Sequence, residues 1–126
     1  MIWVARIAGA LVMLFSFVLG LSALINPERA AETLGLAPLS DMGRNSIRAD
    51  IVAFAWASTI LAVAGLFAGR GRWFVGAAVL FGMAATGRIL DSIIAGLPEG
   101  AAPAIIIELI VAGLALVAAK WLPSKT

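Results

Sequence analysis

The sequence predicts an all-α membrane protein: a four-transmembrane-helix antiparallel bundle with a short interfacial helix between helices 1 and 2. Three observations carry that prediction. Of the 126 residues, 63% are apolar and only 13% charged, and the mean hydropathy is +1.08, far from the composition of soluble domains. The apolar residues fall in four runs of about 20, the length that crosses ~30 Å of hydrocarbon at ~1.5 Å per residue. Each run is closed by Asn, Gly or Pro, the residues that end helices. The whole chain therefore reads as a single integral membrane domain, 1–126, with spans at about 2–25, 46–68, 73–95 and 102–121.

The first span is a near-continuous apolar run interrupted by Arg6. A cleaved secretory signal competes with it, with Arg6 as the basic start and Ser22 as a small cleavage residue. The run is longer than an ordinary signal's apolar stretch, however, and three spans follow it. Asn26-Pro27-Glu28 then opens the short helix, with Asn as N-cap, Pro at the first helical position and Glu in the first turn. Gly35 suits the position just past that helix. Leu34, Leu36 and Leu39 form an apolar strip fit to lie on the bilayer surface or over the bundle mouth.

Ser40-Asp41 caps the second span, which runs from there or from Ser46 to the turn Gly69-Arg70-Gly71-Arg72. The third begins at Trp73 and closes at Gly96-Leu97-Pro98-Glu99-Gly100, and the fourth ends before Pro123. Small residues recur four apart, Ser16 with Gly20, Ala64 with Ala68, and Ala78 with Gly82 and Thr86. That spacing permits close helix approach where lipid supplies no hydrophobic drive. Trp56, in mid-span, is expected to fill space in the bundle or against lipid before it lines a cavity.

Composition excludes whole classes of chemistry. With no Cys, His or Tyr, the chain has no disulfide, no thiolate or imidazole metal ligand and no histidine base. No cofactor or metal motif is present. The net charge of +2 is too small to argue for nucleic acid despite a pI near 9.9.

The charges sort by side. Arg6, Arg70, Arg72, Lys120 and Lys125 fall on the side of the termini, where there is no acid, and all seven acids lie on or toward the other side. The positive-inside rule then makes both termini cytoplasmic. Trp3, Trp73 and Trp121 mark that same boundary, as an aromatic belt would.

Charge within the spans marks the candidate site, because an ionisable group in hydrocarbon costs at least ~2.5 kcal/mol and so implies a partner or a function. Arg88 lies roughly 24 Å and Glu108 roughly 18 Å above the termini-side boundary, counting ~1.5 Å per residue. Helical side chains tilt toward the N-terminus, so on antiparallel neighbours these two lean toward each other and an ion pair is predicted. Asp91 and Ser92 follow Arg88 by three and four residues and share its face, which would set the arginine between two carboxylates. On the second span Asp50 and Arg48 sit about 200° apart, so one points inward. Asp50 is expected to do so, with Arg48 joining Arg44 near the headgroups or the surface helix. Together these residues would form a polar funnel with Glu108 at its floor.

The order of these signals resembles a family of small bacterial four-span membrane proteins known as a domain of unknown function, similar in build to the DoxX-like proteins. The matching features are Asn26-Pro27, Leu34-Gly35-Leu36, Arg48 entering the second span, Gly87-Arg88 late in the third and Glu108 early in the fourth, covering most of the chain. The resemblance implies a four-helix inner-membrane protein with Arg88 and Glu108 as signature positions, and it brings no activity. The chain departs from the pattern at Ala49-Asp50, where the family resembled has a pair of small residues.

Three functions compete on this sequence. The first is binding or transport of a small amphipathic or lipid-like molecule in a periplasm-facing pocket of Arg88, Glu108, Asp91, Asp50, Arg48 and Ser92, with Arg88 holding an anionic group. The second is an isomerase or hydrolase with Glu108 and Asp91 as catalytic acid and base. The third is a structural subunit of a homo-oligomer or larger membrane complex. Against all three stands the plainer reading that the ions only pin the bundle in register.

Overall fold

A computed structural model describes residues 1–125, and its elements follow the punctuation of the sequence. Helix α1 spans Ile2–Ile25, α2 Pro27–Thr33, α3 Asp41–Phe67, α4 Phe74–Ala95 and α5 Ala101–Trp121, with a single 3-10 turn at Gly71–Trp73 before α4. Four of these helices are long and apolar enough to cross a bilayer, and the chain is a multi-pass membrane protein. They pack as a four-helix bundle in which α1 neighbours α3 and α5, and α4 closes the ring between them.

The helix ends are built by local chemistry. The Asn26 side chain accepts from the Arg29 amide at 3.1 Å, and Pro27 occupies the first position of α2, whose missing amide costs nothing there. Gly35, at φ +72°, ends α2: its amide donates to the Glu32 carbonyl and the Leu36 amide reaches Ala31, a Schellman closure. Ser40 caps α3 through the Gly43 amide at 3.0 Å. Helix α3 thus starts at Asp41, and its first turns project beyond the apolar span.

The interior is made largely of small residues. Ala5, Ala55, Ala62, Ala77, Ala85, Ala115 and Ala118 are fully buried, while Leu14, Val18, Ile60, Val79 and Ile106 face outward. This reverses the soluble pattern, because lipid solvates large aliphatic side chains well and helices gain by close backbone approach. Phe74 is the wedge of the core at the termini end, seated against Gly9 of α1 and Gly65 of α3. Gly20 likewise leaves room for Trp56, whose indole stacks on Phe17 and donates to the Phe17 carbonyl at 3.3 Å, so Trp56 fills the α1–α3 seam. A hydroxyl bond between Thr59 and Ser16 at 3.1 Å joins the same two helices.

The termini end carries two features. Arg6, Arg70 and Lys120 lie over the rings of Trp3, Trp73 and Trp121, so each belt tryptophan holds a cation in its own neighbourhood. The segment after α5 returns to the α3–α4 turn. There the Gly71 amide donates to the Pro123 carbonyl, the Lys125 amide to the Gly69 carbonyl, and the Arg72 amide to Ser124 Oγ. The segment after Leu122 is thus a strap, and Gly71 is required under it because a side chain there would meet the Leu122 backbone.

Candidate functional site

The far end of the bundle is not filled. A cavity of about 520 Å³ lies among α1, α3, α4 and α5, with Thr33 and Leu34 from the end of α2 also lining it. Phe15, Phe54 and Phe81 form its inner limit, with ring centroids 5.9 Å apart for Phe15–Phe81 and 5.1 Å for Phe54–Phe81. Gly100, Pro103 and Ala104 supply small residues on the α5 side. Alanine and glycine let the helices touch nearer the termini, whereas at this level Leu19, Ile51 and Ile107 border the space without filling it.

Arg88 and Glu108 stand in the cavity wall, joined by Arg88 Nε donating to Glu108 Oε1 at 3.0 Å. The lean of antiparallel helices brings them together. Arg88 keeps 30% of its side-chain exposure and Glu108 15%. The terminal amino groups of Arg88 form no hydrogen bond to described residues, and Glu108 Oε2 is buried without a partner. Asp50 also lines the cavity and belongs to no ion pair among the described residues.

Three of the expected site residues lie elsewhere. Asp91 is exposed, does not line the cavity and does not pair with Arg88. Three residues on is about 60° of rotation and a turn nearer the mouth, and the short aspartate does not reach back across that offset. The arginine therefore has one carboxylate partner, not two. Ser92 donates its hydroxyl to the Arg88 carbonyl at 2.7 Å, spending it on its own helix. Arg48 is also absent from the cavity wall, as its rotation from Asp50 demands, and its Nε is buried without a hydrogen-bond partner. Arg44 beside it ties α3 to α2, reaching Glu28 at 3.5 Å and Asp41 at 2.9 Å.

The space is therefore an apolar chamber with a charged wall, not a polar funnel with Glu108 at its floor. The sequence left its phenylalanine floor unseen, although Phe54 lies one turn beyond Asp50, the residue expected to point inward. Leu34 belongs to the strip expected to lie on the bilayer surface or over the bundle mouth, and it lines the cavity, while Leu39 is almost fully exposed. Among the described residues no three acidic side chains converge as a cation site. Comparison with protein-family models, with curated proteins and with solved structures finds no match.

Proposed function

We propose that the protein binds or transports a small amphipathic or lipid-like molecule in the chamber beside α2. The observation that supports this is the chamber itself: about 520 Å³ of space next to ionisable groups that retain bonding capacity. That volume lies in the range of small-molecule sites, which are mostly apolar with a few placed polar groups. An apolar chain would lie on the three phenylalanines, with its polar end at Arg88, Glu108 and Asp50. With this reading go two expectations from the charge and motif pattern: a bacterial inner membrane with both termini cytoplasmic and the chamber toward the periplasm, and kinship in build with the small DoxX-like four-span proteins.

The test is to plug the chamber. Ala104→Phe places a ring in the space and leaves Arg88 and Glu108 themselves unchanged. Wild-type protein purified in mild detergent and extracted with organic solvent is expected to release a defined amphipath by mass spectrometry, and the plugged variant to release none while keeping its melting temperature. Wild-type protein that carries nothing, and binds no added amphipath, overturns the proposal.

A structural subunit is the second reading, favoured by Gly82, Gly87 and Gly113, whose faces meet nothing within 4 Å. Native mass spectrometry of gently extracted protein separates the two, since a lone monomer counts against it.

A further inference from the structure

The charge of the ligand can be argued from the wall, and the argument rests on the binding reading above. We infer that the chamber takes a cationic amphipath, a molecule with a protonated nitrogen at the head of an apolar chain. Asp50 and Glu108 line the space against one guanidinium, that of Arg88, a formal surplus of one negative charge. Glu108 Oε1 is engaged by Arg88 Nε, but its Oε2 has no donor, and Asp50 has no ion-pair partner among the described residues.

Two carboxylates thus have acceptor capacity to spare on a wall whose only guanidinium already faces a counter-charge. In surroundings of low polarity, an anion added to this lining raises the surplus to two charges, a neutral head leaves it at one, and a cation cancels it. A protonated nitrogen also brings the donors that the carboxylates lack. None of the other bases at this end lines the space, although Arg48 is in no ion pair among the described residues. Arg29 opens into a separate depression with Ser22 and Asn26, Arg44 is held by Glu28 and Asp41, and Arg48 does not line the chamber. This inverts the expectation from the sequence that Arg88 holds an anionic group.

The experiment uses the full chain in a neutral maltoside detergent, titrated by calorimetry with three probes of equal chain length: dodecylammonium, dodecanoate and dodecanol. Dodecylammonium is expected to bind at least about tenfold tighter than dodecanoate and to weaken with added salt. Asp50→Asn, at a side chain with no protein partner, is expected to keep the fold and lose about five- to tenfold in affinity for the ammonium. Tighter binding of dodecanoate, or an ammonium preference unchanged in Asp50→Asn, overturns the cationic assignment and leaves the chamber a binding site. Binding of none of the three to wild-type protein overturns both.

Discussion

At the scale of single residues, Arg88 and Glu108 show how far helix geometry alone reaches. Depth along each span and the tilt of the side chains are fixed by helix rise and chirality, and they suffice to bring these two together. The neighbours Asp91, Ser92 and Arg48 were not legible in the same way, because their fates depend on how far each helix turns about its axis, and a rotation of about 60° moves a short side chain out of reach. A pair like this gives little net stability, but a lone survivor is costly. Arg88→Met is therefore expected to destabilise by about 2–3 kcal/mol, below the ~3–5 of a fully buried pair because the arginine keeps some exposure. Adding Glu108→Leu should recover most of that loss. Unfolding in mixed micelles of the two single variants and the double variant measures the coupling, and simple additivity would refute the pair as a unit.

At the scale of elements, the glycines divide into those that are packed against and those that are not. Gly65 of α3 faces the ring of Phe74, and a methyl group there would overlap it. Gly65→Ala is expected to cost about 1–3 kcal/mol by forcing the wedge aside, and Phe74→Ala about 3–5 by emptying it. Gly82 of α4 meets nothing, so Gly82→Ala should be neutral or stabilise by up to about 1 kcal/mol through helix propensity. Thermal unfolding in one detergent ranks the three, and a large loss in Gly82→Ala would instead reveal a partner on that face. The recurrence of small residues in the sequence predicted close approach in general. Which glycine takes which ring could not be read, because it depends on the pairing of helices distant in the chain.

At the scale of the whole molecule, two ends with different tasks emerge. The termini end is tied, with the strap through Pro123 and Lys125 closing on Gly69 and Gly71 and a tryptophan–cation pair beside each of three helix ends. The chamber end is looser in filling and has α2 across part of it. The charge asymmetry sets the expected orientation, and the absence of cysteine makes it simple to test. A single cysteine at Leu39 should react with a membrane-impermeant maleimide in intact bacterial cells, whereas one at Lys125 should react only after permeabilisation. The reverse pattern would turn the chamber to the cytoplasm and contradict the positive-inside assignment.

The four spans, their caps and turns, the sorting of charge between the two sides and the meeting of Arg88 with Glu108 were all legible in the chain's residues. Each of these follows from hydropathy, local backbone chemistry or the fixed geometry of one helix or one helical hairpin. The packed bundle was needed to see that the interior beyond the phenylalanines is open, that Asp50 shares it while Asp91, Ser92 and Arg48 do not, and that α2 reaches its edge. Those outcomes depend on the rotation and spacing of four helices at once, and small shifts there decide whether a side chain fills a space or only borders it.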